Sequence, residues 1–282
     1  MHFLLLTILC STSIALILKL SDTKKGSPIV LLAGNYLVAS LIALALLLFN
    51  DSKLFSFQTL IFGSVLGLLF VLSFFAYAKA ISFAGTGLAT TSSRLSVIIP
   101  ILFSIIIYNE LPNKFHLIGF LFTIITFVFF YLSVKDNHKS GEGLLKYLFL
   151  IAVFVGIGIN DFAVKVFKSW KPEQEEAFFV FFIFFSALIY SLIYILIKRI
   201  KVNRNTVYWG MALGVPNVLS TIFLLAALAL LPAISVYPLM NVGIIVLTTF
   251  LAFVIWNEKL NRWGMLSLVS GLLAILFLSI GE

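Results

Sequence analysis

"GTGLATTSSRLSVIIPILFSIIIYNELPN", residues 85–113, runs through more than 20 mostly apolar residues and then stops on Asn109, Glu110 and Asn113. The same ending is written again as "WNEKLN" at 256–261, where Asn257, Glu258 and Asn261 repeat the three polar residues with a constant shift of 148. An apolar run of that length matches the roughly 20 helical residues that cross a bilayer core. Two runs with one polar ending raise the expectation that a larger unit is repeated.

Composition sets the frame for that unit. The 282 residues are 62% hydrophobic and 11% charged, against about 25% charged in soluble domains, and mean hydropathy is +1.16. A soluble fold has nowhere to hide so much apolar surface, so the expected fold class is all-α, a polytopic membrane protein. Charges and turn residues cut the chain into ten spans near 3–20, 28–49, 57–80, 85–107, 115–134, 143–166, 177–198, 206–230, 232–255 and 263–280. All four tryptophans, Trp170, Trp209, Trp256 and Trp263, fall at span ends, as an aromatic belt at headgroup level requires. The links are short, leaving no extramembrane domain for a separate activity.

Further anchors extend the repeat. "FLLLTILCSTSIALILKL" from Phe3 aligns with "FLIAVFVGIGINDFAVKVF" from Phe149, which places Lys19 on Lys165. "FGSVLG" aligns with "WGMALG" at a shift of 147, so Gly63 and Gly67 meet Gly210 and Gly214. The expected domains are two halves of five spans, 1–134 and 143–281. Five is odd, so the second half is inverted, the architecture by which many secondary transporters expose a midplane site to each side in turn.

Two five-span halves, each with a small-residue-rich fourth span ending in Glu and a short polar link, resemble the ten-helix drug/metabolite transporter superfamily and its EamA-like domains. The resemblance covers nearly the whole chain and rests on architectural residues. It implies a helical bundle around a central cavity, lined by spans 1, 3, 4, 6, 8 and 9, and movement of small metabolites without ATP hydrolysis. It also implies termini in the cytoplasm. The basic residues point the other way, since they crowd into links after odd-numbered spans, among them "KRIKVNR" at 198–204, and basic links stay inside.

Within the spans, ionisable groups are functional candidates by default, because a charge at the bilayer centre costs roughly 2.5–3.5 kcal/mol on insertion scales. Arg94 lies mid-span with Thr90 and Ser93 within about one turn, a cluster suited to a carboxylate or phosphate, or else an Arg satisfied by backbone carbonyls. Asp161, beside Asn160 and four residues before Lys165, is either a helix ion pair near the surface, a proton-exchanging group that drives transport, or a neutraliser of Arg94. Lys165, Lys19 and Lys79 read as snorkelling span ends. Pro100, Pro216, Pro232 and Pro238 mark expected interruptions, and freed backbone groups are tolerated beside a cavity. Tyr237 and Asn241, one turn apart, are expected opposite Arg94, with Asn217, Asn35 and Tyr36 completing the lining or forming interhelical hydrogen bonds. Glu110 and Glu258 end equivalent spans on opposite faces. They either tie down neighbouring loops and helix starts or gate the two mouths by turns.

The remaining motifs narrow the class. The GxxxG pairs Gly63/Gly67 and Gly210/Gly214 indicate close helix packing within one chain; as an assembly the protein is a monomer or a homodimer. Cys10 lies inside the first span and reads as a packing residue. The histidines His2, His116 and His138 fall at the terminus or in links without metal-ligand spacing, so neither a metal site, a cofactor nor an embedded enzyme is expected. Net charge +8 sits in links too short to form a nucleic-acid groove. The expected function is a secondary transporter, exporter or permease, of a small metabolite carrying an anionic or zwitterionic group. Its partners are that solute, membrane lipid and possible coupling protons, and its place is the prokaryotic plasma membrane. The alternatives are an exporter of hydrophobic or cationic drugs using Asp161 and, less well supported, an enzyme or channel.

Overall fold

The computed structural model describes residues 1–22, 26–49, 55–84, 86–134, 144–171, 173–256 and 261–281. These form α1 (His2–Asp22), α2 (Pro28–Phe49), α3 (Phe57–Ala84), α4 (Thr86–Leu95), α5 (Ile98–Tyr108), α6 (Lys114–Val134), α7 (Leu144–Trp170), α8 (Glu176–Ile197), α9 (Arg204–Leu230), α10 (Ala233–Trp256) and α11 (Arg262–Ile280), with one 3-10 turn at Glu173–Glu175. Nine stretches among the described residues are long and apolar enough to cross a membrane, and His2–Leu18 adds a shorter apolar helix. The protein is a multi-pass membrane protein. α4 and α5 are two pieces of one span, so the described residues offer nine such spans and, with His2–Leu18, a shorter tenth. Short links make successive spans antiparallel, which puts residue 1, Glu110, Trp170, Leu230 and Gly281 at one end, called here the Glu110 end.

The interruption of the fourth span follows from one missing donor. Pro100 has no N–H to offer the carbonyl of Ser96 four residues back, and the helix gives way there, at Ser96 and Val97. Ile99 N–H takes the Ser96 carbonyl at 3.0 Å, and the Ser96 hydroxyl turns back to the Ser93 carbonyl at 2.6 Å. Pro100 then sits in the first turn of α5, where no internal N–H is needed. Pro216 and Pro238 behave differently from expectation: both lie inside continuous helices, α9 and α10, and Pro232 merely precedes α10. Among the described residues, only the fourth span is broken.

Glycines hold the bundle together at two corresponding places. A methyl group on Gly63 would meet the Phe179 carbonyl of α8 at 3.2 Å, and one on Gly67 would collide with that of Ile183. Gly210 and Gly214 are seated in the same way on the Leu31 and Asn35 carbonyls of α2. So α3 lies backbone to backbone on α8, and α9 on α2, each contact joining the first five spans to the last five.

The polar endings show the same reciprocity. Asn113 caps α6 by accepting the His116 N–H at 2.9 Å and donates to the Gly281 carbonyl at the end of α11, 2.7 Å away. Asn261 caps α11 through the Gly264 N–H at 2.8 Å and donates to the Ser133 carbonyl at the end of α6, 3.1 Å away. The shift of 148 that carries Asn113 to Asn261 carries Ser133 to Gly281. Midway, the Thr126 hydroxyl donates to Ser270 at 3.1 Å. His116, read from sequence as a link residue, is instead buried in the first turn of α6, 2.8 Å from the Ser235 hydroxyl of α10.

Candidate functional site

Three helices meet around the break in the fourth span. Arg94 is in the last turn of α4, where the negative end of the helix dipole favours a cation. Its guanidinium Nη1 donates to Asn241 Oδ1 of α10 at 3.3 Å, and Asn241 Nδ2 donates to the Tyr237 carbonyl at 3.0 Å. Arg94 and Asn241 are 147 residues apart, the shift that relates Gly63 to Gly210. Two positions related by the shift seen in the sequence therefore touch one another.

α7 supplies the acid. The Tyr237 hydroxyl donates to the backbone carbonyl of Asp161, and the Asp161 carboxylate acts electrostatically on both Arg94 and the Tyr237 hydroxyl. No hydrogen bond or ion pair engages that carboxylate among the described residues. Arg94 and Asp161 are both half-buried, so each keeps some accessible surface. The neighbouring Asn160 points elsewhere: its Nδ2 donates to the Ser73 hydroxyl of α3 at 3.1 Å, while its Oδ1 is buried with no partner.

The hydroxyls near Arg94 are divided among neighbours. Ser92 donates to the Leu150 carbonyl of α7 at 2.7 Å, and Thr90 lies 3.0 Å from the Tyr77 hydroxyl of α3. Ser93 stays half-buried beside Arg94. Tyr77, within hydrogen-bond distance of Thr90 one turn before Arg94, is a site residue absent from the sequence candidates. The only signal was a polar tip within the apolar run "FFAYAKA".

Asn35, Tyr36 and Asn217 gather in a different place. Asn217 Nδ2 donates to Asn35 Oδ1 at 3.1 Å across the α2–α9 contact, and Tyr36 is buried with its ring centroid 6.3 Å from that of Phe184. These are interhelical contacts beside the Gly214 seat, and no hydrogen bond joins them to Arg94.

At the Glu110 end, "YNELPN" closes a clamp. Asn109 takes a left-handed conformation, φ 53°, and ends α5, a position that Asn tolerates better than most residues. The chain turns there, and Glu110 reaches two partners. Its Oε1 pairs with Lys165 Nζ of α7 at 2.6 Å, and its Oε2 accepts the Ile234 N–H at 3.0 Å, in the first turn of α10. A carboxylate at a helix start satisfies an orphan donor and the positive end of the dipole together. Lys165 also lies 5.2 Å from the centre of the Tyr108 ring. It is thus a buried ion-pair partner, where the sequence suggested a snorkelling end and a helix pair with Asp161. Glu258, Asn257 and the Lys19 side chain lie outside the described residues.

A separate cleft of about 630 Å³ opens at the same end between α1, α2, α8 and α9, with apolar walls that include Phe3, Leu46, Phe49 and Leu225. Lys168 bridges Glu173 and Glu176 at its rim. None of the residues around Arg94 borders it. No group of three metal-ligating side chains comes together among the described residues.

Comparisons with known proteins fit this architecture. The model of the EamA-like transporter family matches residues 1–132. A Haemophilus influenzae protein described only as uncharacterized is 30% identical over 98% of this chain and 96% of its own length. A protein crystal structure superposes with a TM-score of 0.80 at 17% identity, covering 99% of this chain and 96% of that one, which is a likeness of fold.

Proposed function

The chain belongs to the EamA-like transporter family, and from that premise we propose that it is a secondary transporter moving a small anionic or zwitterionic metabolite by alternating access. The observation that carries this reading is the opposed pair of half-buried charges, Arg94 on α4 and Asp161 on α7, with Asn241 and Tyr237 of α10 beside them. Arg94 offers a planar fork to a carboxylate or phosphate. Asp161 offers an unengaged carboxylate to an ammonium group or a proton. Both sit where the fourth span breaks, next to backbone groups that only a protein-lined cavity tolerates.

Alternation needs two interconvertible halves. The reciprocal glycine seats, the exchanged Asn113 and Asn261 caps, and the contact between equivalent positions 94 and 241 all support residues 1–134 and 143–281 as inverted repeats. Glu110 closes one mouth in this arrangement. The bacterial relative supports a prokaryotic plasma membrane as its place.

The test is counterflow in liposomes preloaded with pooled amino acids, organic acids and sugar phosphates, read by mass spectrometry for wild type and Arg94→Ala. Losing a charge-assisted hydrogen bond costs about 2–3 kcal/mol, so affinity for the transported anion falls roughly 30- to 150-fold. Exchange of cationic or neutral solutes that ignores the substitution replaces this reading with a cation carrier centred on Asp161.

A further inference from the structure

We propose that Lys165 is a two-position switch: it exchanges between Glu110 and Asp161, and so couples the occupancy of the Arg94–Asp161 site to closure of the Glu110 end. The inference deepens the reading of that site given above and rests on its placement of a ligand at Asp161.

Lys165 has two carboxylates within reach and holds one. Glu110 Oε1 is 2.6 Å from its Nζ. Asp161 lies four residues earlier on α7, with the acid on the N-terminal side of the base. Side chains so spaced are neighbours on one helix face, and that order is the more favourable one. The Asp161 carboxylate has no hydrogen-bond partner among the described residues, so it is free to compete. The Tyr237 hydroxyl donates to the Asp161 backbone carbonyl, and both carboxylates act on it electrostatically.

The consequences run along α10. Glu110 holds Ile234 in the first turn of α10, Tyr237 follows about one turn deeper, and Asn241, the partner of Arg94, one turn deeper again. A ligand cation resting on Asp161 removes the competing charge and leaves Lys165 to Glu110, which keeps α5, α7 and α10 together. An unneutralised Asp161 draws Lys165 inward and loosens the clamp. A ligand shifts such an equilibrium only by its differential affinity for the two states, and here the difference is supplied by one lysine with two alternative partners. The first half has no such device, because the residues one turn before Lys19 are Ile14, Ala15 and Leu16.

The test reads conformation without transport. Spin labels are placed at Leu111→Cys and Leu230→Cys, both exposed positions at the Glu110 end, in a Cys10→Ala background, and distances are measured by double electron–electron resonance in liposomes. Glu110→Gln should lower the ratio of short to long distances about tenfold, and Asp161→Asn should raise it about three- to tenfold, the size of coupling between neighbouring charged groups. In a Lys165→Gln background Asp161→Asn should have no further effect. An unchanged distribution in Asp161→Asn, or an equal shift with and without Lys165, would overturn the switch. Glu110→Asp, which retains the charge on a shorter arm, serves if Glu110→Gln does not fold, and should shift the ratio in the same direction. Because no solute is involved, counterflow can fail for Arg94 while the switch stands, and the reverse.

Discussion

The broken span α4–α5 and the continuous helix α10, which the proposed repeat would set in corresponding places, contribute different things to the site. In the first, Pro100 stops the helix, and the C-terminal end of α4 stabilises Arg94. In the second, Pro238 falls six residues from the start of α10, where the helix runs on, and the partner presented is the neutral amide of Asn241. What differs is the depth at which the missing N–H falls. One half was thereby given a helix end and a charge, the other an unbroken wall and a hydrogen-bond acceptor.

Exchanging the two partners is the severest way to break that comparison. Arg94→Asn alone should weaken binding of the anionic substrate by about two orders of magnitude, the cost of a lost charged hydrogen bond. If the sites are equivalent, Arg94→Asn with Asn241→Arg should regain affinity to within about tenfold of wild type, as measured by counterflow. If instead the helix end matters most, the exchanged protein stays as weak as the single variant, because an arginine on unbroken α10 lacks the dipole.

Pro100→Ala sharpens the same contrast. Restoring the N–H lets α4 and α5 join, and interior proline disfavours a helix by about 3 kcal/mol relative to alanine. Hydrogen exchange at residues 97–101 should slow at least tenfold, and solute exchange should fall as the Arg94 end loses its fixed position. Pro238→Ala should raise thermal stability by about 1 kcal/mol or less and leave exchange nearly unchanged, since that helix is already continuous. Smallest of all, Asn113→Ala and Asn261→Ala should each cost about 1 kcal/mol, the worth of an N-cap. Equal losses in thermal unfolding would match their reciprocal bonding.

Much of this was legible in the residues. The apolar helices, the glycine seats and the capping Asn113 and Asn261 follow from run length, spacing and repetition. The meeting of Arg94 with Asn241 followed from depth along each span. Depth alone left alternatives open elsewhere. Asn35 and Asn217 took the interhelical hydrogen bond across α2 and α9, and Lys165 found Glu110 from another span rather than Asp161 on its own. A chain that is apolar on every helix face gives no amphipathic stripe to say which side looks inward. Tyr77 was missed for that reason, and the place of the break in the fourth span was read from the proline itself, four residues beyond where the helix yields.

The exchanged caps of α6 and α11 carry one mechanical consequence. Each helix is stapled at its start to the other's finish, with Thr126 and Ser270 joined between, so the two cannot slide past each other without breaking both ends at once. In the proposed alternating access the two would move as one rigid piece, so a cross-link between α6 and α11 should leave solute exchange intact.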